Sequence, residues 1–291
     1  KKLKIPVLYY ISPQIWAWRQ GRAAKLKEVV DHLAVILPFE EEFYKKYDIP
    51  VTFVGHPLMD DFSPSRNLKR DPDHVDRKLI GMLPGSRHQE VERHLPIMLC
   101  AARILINKNP DIQFLVSVAH TVEQKRVRTI IEKYGKEIPL TLADKGVKSV
   151  FENVDMVLAT SGTVTLEAAI HGIPELILYR VSPVSYWFGK MLIKVNHIGL
   201  ANLIAEKEII PEFIQKQATP DRIAEACDAL LKDPKRLERM KKDFESVRNK
   251  LGGPGASNRT ADIAVRLMGM KETGRDQKQE NRNLENGRIR R

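Results

Sequence analysis

One feature limits what this chain can fold into more than any other: short, strand-length apolar runs alternate with helix-period segments along nearly its whole length. The runs are Val7 to Ile11, Leu33 to Leu37, Val51 to Val54, Leu79 to Leu83, Ile112 to Val118, Leu140 to Ala143, Met156 to Ala159 and Leu176 to Tyr179. A strand apolar at almost every position is buried on both faces, as in a parallel sheet covered by helices. Parallel neighbours also need a long crossover, and the intervening helical patterns supply it. The pattern therefore specifies an α/β fold of βα units around parallel sheets.

The alternation breaks at residues 60–77, DDFSPSRNLKRDPDHVDR, a charged stretch with two prolines and no apolar period. Too few strands precede it for a complete doubly wound sheet, while a full set begins again at Leu79. The expected organisation is the C-terminal part of an N-terminal Rossmann-like lobe over 1–60, a linker over 61–77 and a whole second Rossmann-like lobe over 78–251. Past Gly252, GGPGASN marks a flexible break and NRTADIAVRLMGM a last helix, giving a C-terminal segment over 252–270. The remainder, 271–291, has almost no apolar residues and is expected to be a disordered basic tail. The chain opens at KKLKIPVLYYIS, with no Met, as though a domain had begun upstream.

Composition narrows the partners without choosing one. The net charge of +11 invites anions, whether nucleic acid, phospholipid headgroups or phosphorylated small molecules. Zinc-finger spacing, an RNP-like aromatic strand and a basic zipper are all missing, so no nucleic-acid partner is expected. The two cysteines, Cys100 and Cys227, lie far apart in helical patterns and suggest no disulfide framework, which fits a reducing cytoplasm. No apolar run approaches the ~20 residues needed to span a bilayer, and no signal-peptide core is recognisable.

Two strand-to-helix turns carry the chemistry. In KLIGMLPGSRHQEVERH a buried strand ends at Leu83, Pro84 and Gly85 make the turn, and Ser86 is placed to cap a helix with Gln89 three residues on. Free backbone amides then leave the carboxyl end of a strand, where open α/β sheets bind ligands and helix N-termini favour phosphate. Arg87 adds a permanent cation whose fork suits phosphate oxygens; an ordinary cap beside a surface arginine is the plainer reading. Pro96 is expected to open the main helix of this unit, leaving 87–95 as a separate short turn. The spacing of His88, Glu90 and His94 is not that of a helical zinc motif, so no metal is expected.

The second turn lies in VLATSGTVTLEAAIHGIP. Ser161, Gly162 and Thr163 offer amides and hydroxyls at a helix start, while Gly172 and Pro174 close the helix. With Thr163 as N-cap, Glu167 sits one turn inside on the same face, too far along for a reciprocal capping box. It either complements the helix dipole or accepts two vicinal hydroxyls, as from a ribose. Together the turns suit a diphosphate and a sugar, which is to say a nucleotide.

The segments ISPQIWAWRQGR, LPFEEEFYKKY, GHPL, LPGSRHQEVERH, ATSGTVTLEAAIHGIPELILYR and LANLIAEKEIIPEFIQ, in this order and spacing, resemble the lipid-A-disaccharide synthase family from about Val7 to about Leu267. The resemblance implies a GT-B glycosyltransferase, with two Rossmann-like lobes and a cleft between them, of which this chain is similar to all but roughly the first third. It implies transfer of 2,3-diacylglucosamine from UDP to the 6-hydroxyl of 2,3-diacylglucosamine 1-phosphate, with inversion, no cofactor and no metal. By the same resemblance Gly85, Ser86, Arg87 and Glu90, the turn Ser161, Gly162 and Thr163, and Glu167 form the nucleotide side of the site. Asn202 matches an Asn expected near the donor, followed by a polar series of Glu208, Glu212 and Gln215. Ala201 and Glu206 depart from the family's usual Pro and Gly. The catalytic base implied by the family is an acid expected upstream of Lys1, so none is named; His56, in GHPL, reads as a hinge or packing residue.

Acylated substrates imply an enzyme working at the inner face of the cytoplasmic membrane. In SPVSYWFGKMLIKVNHIG the residues Tyr186, Trp187, Phe188, Met191 and Leu192 are interleaved with Lys190 and Lys194, which suits an anionic headgroup boundary and equally a packed helix with snorkelling lysines. IWAWRQGR is a second candidate for that contact. A homodimer is a candidate assembly. The rival readings are another GT-B-fold UDP-sugar enzyme such as a UDP-N-acetylglucosamine epimerase, and an inactive donor-binding fragment.

Overall fold

The computed structural model of the chain describes residues 5–62, 77–143, 146–182 and 196–269. They form two compact units, one made of the residues up to Asp60 together with those from Gly252 onward, the other of Asp61–Leu251. The boundary falls at the start of the expected linker, most of which lies outside the described residues, as does the expected tail.

The first unit is a three-stranded parallel sheet in the order β1 (Leu8–Tyr10), β2 (His32–Val35), β3 (Val51–Phe53). Helices α1 (Ala23–Val29) and α2 (Pro38–Lys45) make the crossovers. One face is sealed by Ile15, Ala23, Val30, Leu33, Val35, Tyr44 and Ile49. The last helix of the chain closes the other, through Ile263 on Ala34 and Val54. Its amino end is fixed by a carboxylate nearly 200 positions earlier: Asp60 accepts from the amides of Gly255, Ala256 and Ser257 at 2.7, 3.0 and 3.2 Å and from the Ser257 hydroxyl at 2.9 Å.

Glu40 organises the SPQIW loop of this unit. Only 1% exposed, its carboxylate accepts from Ser12 Oγ, Trp16 Nε1 and the amides of Ile36 and Leu37. Burial still raises its pKa, against those hydrogen bonds. Trp16 is thereby a buried packing residue, while Trp18 is exposed with Arg19 over its ring. His56 is buried, its Nδ1 accepting from the Leu58 amide, and burial lowers its pKa to about 4.

The second unit is a six-stranded, all-parallel sheet in the order β6 (Leu140–Leu142), β5 (Gln113–Val116), β4 (Leu79–Leu83), β7 (Met156–Thr160), β8 (Glu175–Tyr179), β9 (Glu212–Ile214). Crossovers are made by α3 (His88–Lys108), α4 (Gln124–Tyr134), α5 (Gly146–Asn153), α6 (Thr163–Ile170) and α7 (Leu200–Ala205), and α8 (Pro220–Leu231) and α9 (Pro234–Lys250) follow the sheet; the last helix, α10 (Ala256–Leu267), is the one that covers the first unit. All eight expected strands are present, within a few residues; β9 is an addition. Gly81 shows how tightly α5 lies on the sheet, since a Cβ there would stand 2.5 Å from Val150 Cγ1.

Two expectations about α3 are corrected. The helix runs unbroken from His88 to Lys108 with Pro96 inside it. An interior proline costs about 3 kcal/mol, but buried residues on both sides of it, Val91, Leu95, Met98, Leu99, Ala102 and Leu105, make one continuous apolar face, and burying each large one returns about 1.5–3 kcal/mol. Secondly, the N-cap position is Arg87, not Ser86, and the reciprocal partner is Glu90, not Gln89. One carboxyl in the core has no partner among the described residues: that of Glu175, at the start of β8, is fully buried, and burial pushes its pKa well above the carboxylate range.

Candidate functional site

In chain order from β4, the strands of the second unit lie 3-2-1-4-5-6, and the order reverses between β4 and β7. Connections leave those two neighbours in opposite directions, so a crevice opens beyond their carboxyl ends, where open α/β sheets bind ligands. The segments that follow them are the two turns, PGSR after β4 and SGT after β7. The fold thus brings together sequences about 75 residues apart on adjacent strands, with Met82 paired to Leu158 and Leu83 to Ala159.

A cavity of about 270 Å³ occupies that crevice. Of the nine residues expected at the nucleotide, Gly85, Ser86, Arg87, Glu90, Ser161, Gly162 and Thr163 line it; Glu167 and Asn202 do not. Thr160, Ser117 and Val147 line it too and were missed by the sequence reading. Ser117 follows β5 as the two turns follow β4 and β7, and that shared position, small polar residues at a strand's carboxyl end, is the signal that could have found it.

The first turn is internally satisfied. Gly85 adopts φ +118°, in the region that favours glycine, and this brings the Glu90 carboxylate under the turn. Glu90 Oε2 accepts from the amides of Ser86 (3.0 Å) and Arg87 (3.3 Å), and Oε1 pairs with Arg87 Nη1 at 2.8 Å. The expected free amides are therefore taken by the helix's own third residue. The Arg87 side chain is 81% exposed, so the pair adds little stability, ~0–1 kcal/mol, and what it does is aim the guanidinium. Thr121 Oγ1 donates to the Ser86 carbonyl at 2.6 Å, tying the turn to the segment after β5.

The second turn is open. The N-cap of α6 is Gly162 rather than Thr163, in extended backbone and with no side-chain cap. The first amides of a helix have no intrahelical acceptor, so Thr163 and Val164 present theirs at the positive end of the helix. Thr165 Oγ1 donates to the Gly162 carbonyl and Ser161 Oγ to that of Ile198, which fixes the turn from two sides. Thr160, only 2% exposed and lining the cavity, has a hydroxyl with no partner among the described residues. A buried unpartnered hydroxyl costs about 1–3 kcal/mol.

Glu167 lies one turn further along α6, half-buried, its carboxylate without a hydrogen bond among the described residues; burial raises its pKa. Asn202 is a structural residue in this geometry. Fully buried, it accepts from the amides of Ile209 and Ile210 and donates to the Ile210 carbonyl and Glu212. Glu212 in turn accepts from the amides of Ile198 and Gly199 (both 2.9 Å), and Gln215 exchanges hydrogen bonds with Val181. Glu208 is exposed. Asn202 and Glu212 therefore brace the segment on which Ser161 rests. Tyr186, Trp187, Phe188 and Lys190, with Met191, Leu192 and Lys194, lie outside the described residues.

The chain matches a family described as Lipid-A-disaccharide synthetase over residues 1–266. It is 41% identical over 278 residues to the lipid-A-disaccharide synthase of Geobacter metallireducens, covering 93% of this chain and 71% of that protein. The corresponding protein of Trichlorobacter lovleyi is 42% identical over 272 residues, covering 92% and 70%. Among solved structures, the UDP-GlcNAc 2-epimerase from Neisseria meningitidis bound to UDP-GlcNAc superposes with a TM-score of 0.61 at 15% identity, over 91% of this chain and 71% of that one. The S. aureus MnaA–UDP structure gives 0.59 at 16% identity over 84% and 63%. At such identities the likeness shows the fold, an α/β architecture of parallel sheets shared with nucleotide-sugar enzymes.

Proposed function

The chain belongs to the lipid-A-disaccharide synthetase family, and on that premise we propose that its second unit holds the UDP-linked donor of a glycosyl transfer that builds the lipid A disaccharide. The reaction is transfer of 2,3-diacylglucosamine from UDP to the 6-hydroxyl of 2,3-diacylglucosamine 1-phosphate, forming a β-1,6 bond with inversion and releasing UDP. The chain spans about seven tenths of the length of its curated relatives, so the whole reaction is proposed for the protein and the donor half for these residues.

One observation carries the reading: at the sheet's switch point Thr160, whose buried hydroxyl has no partner among the described residues, an uncapped helix N-terminus and an aimed guanidinium line one cavity. As the sugar–phosphate bond breaks, negative charge collects on the departing UDP. Donors fixed in place beforehand stabilise that charge without reorganisation. Thr163 and Val164 amides, Thr160 Oγ1 and Arg87 are such donors. Glu90 contributes by holding Arg87, and Asn202 by holding Glu212 and the 198–199 segment. Glu167, one turn along α6 from the cavity-lining turn, is assigned the ribose hydroxyls. No residue of this chain is assigned as catalytic base, and no metal or cofactor is invoked.

Membrane contact through Tyr186, Trp187, Phe188 and Lys190, at the inner face of the cytoplasmic membrane, remains part of the proposal, as does a homodimer. Among the described residues no helix is long and apolar enough to cross a membrane. Calorimetric titration with UDP tests the donor site. The parent should bind, and Arg87→Ala should weaken binding by about 10–100-fold, the range for a hydrogen bond to a charged group; a folded parent that does not bind UDP would sink the assignment.

A further inference from the structure

A second cavity, of about 590 Å³, shares the Arg87–Glu90 pair with the first. Arg93 and Arg180 line it with Arg87, together with His88, His94 and Tyr179. Three arginines thus line one space whose only carboxylate among the described residues, Glu90, is engaged with Arg87. Among the described residues neither Arg93 nor Arg180 forms an ion pair. Like charges gathered without a counterion repel, so the arrangement is stable to the extent that water or an anion fills it.

The walls are built rather than incidental. His94, 1% exposed, accepts from the Arg180 amide at 3.0 Å and stacks on Tyr179. Arg93 Nη1 donates to the Arg180 carbonyl at 3.3 Å. The end of β8 is therefore pinned to the first turns of α3, and the arginines project from two rigid elements joined through a buried ring. Guanidinium forks match phosphate oxygens in pairs, and a group left with two negative charges meets two cations not otherwise neutralised.

We infer that this cavity is a second anion site, for a phosphomonoester. The inference rests on the proposed reaction, in which the acceptor carries such a group at C1 while the donor's phosphates form a diphosphate diester. The same chemistry could come from the donor reaching past Arg87, and the experiment separates the two.

The full 291-residue chain is titrated calorimetrically with glucosamine 1-phosphate and with glucosamine, each with and without saturating UDP, in the parent and in the Arg93→Gln/Arg180→Gln double variant. Melting curves verify that the variant is folded. The parent should bind glucosamine 1-phosphate at least about tenfold more tightly than glucosamine, and the double variant should lose about tenfold for the phosphate alone, roughly one good charged contact. Its UDP affinity should stay within about twofold. No phosphate preference in the parent, or a variant that binds the phosphate as the parent does, overturns the inference. An equal loss of UDP affinity also overturns it, by giving the arginines to the donor. A parent that binds glucosamine 1-phosphate but not UDP would retain this site and remove the other.

Discussion

The two turns at the switch point close neighbouring strands and open neighbouring helices, yet they treat their amides in opposite ways. After β4, Glu90 takes the amides of Ser86 and Arg87 and grips the arginine side chain as well. After β7, Gly162 offers no cap, and the Thr160 hydroxyl two residues before it is unpartnered among the described residues. A turn that carries its own carboxylate folds into its final shape with nothing bound and serves to hold a cation in place. A turn without one keeps its donors for something else and bears a small stability cost until that arrives. On the proposed reading the nucleotide-binding role is thus divided: preset charge on one side, open hydrogen-bond donors on the other.

Gly85→Ala should break the comparison most severely. The residue would enter φ +118° with its Cβ 2.6 Å from both Cβ and Oε2 of Glu90, and backbone strain alone costs about 1–3 kcal/mol. Urea unfolding should show that loss, and UDP binding should fall with it because Arg87 is unseated; an unchanged midpoint would mean the turn is not braced as described. Arg87→Ala comes next, with a large effect on UDP affinity and almost none on stability, ≤ about 1 kcal/mol for an exposed pair.

Thr160→Val sharpens the contrast because its two effects have opposite signs. Without ligand the variant should be as stable as the parent or more so, by about 1 kcal/mol, since an unpaired buried hydroxyl is removed. Its UDP affinity should nevertheless drop several-fold, whereas a destabilised variant with normal binding would contradict the account.

The smallest effect is expected at Glu167. Burial raises its folded pKa above 4.5, so the folded state holds the proton more strongly than the unfolded chain does. That contribution is fully present below 4.5 and is lost as pH rises through the raised value. Glu167→Gln should therefore flatten the stability–pH profile just above 4.5, and it should weaken UDP modestly at neutral pH. A profile identical to the parent's would remove the burial argument.

Much of the fold is legible in the sequence because buried parallel strands are written as uninterrupted apolar runs; Met156–Thr160 is buried at all five positions. β9 was not, being three half-buried residues, Glu212 to Ile214, at a sheet edge. Pro96 misled because its local penalty is visible in sequence while the apolar face that outweighs it exists only after packing. The two turns could be read from strand endings and helix openings. The orphan state of Thr160 could not, because it depends on which neighbours fail to reach the hydroxyl. Asn202 stood out by resemblance alone, and its structural role follows from Glu212 and Ile210, which lie 10 and 8 residues away and meet it only in the folded chain.

Backbone amide chemical-shift mapping during a UDP titration tests the central claim most directly. The account predicts the largest shifts at Gly162, Thr163 and Val164, with smaller ones at Ser86 and Arg87, whose amides Glu90 already holds. Saturable UDP binding that leaves the Gly162–Val164 amides unmoved, or that displaces Ser86 and Arg87 from Glu90 first, would contradict it.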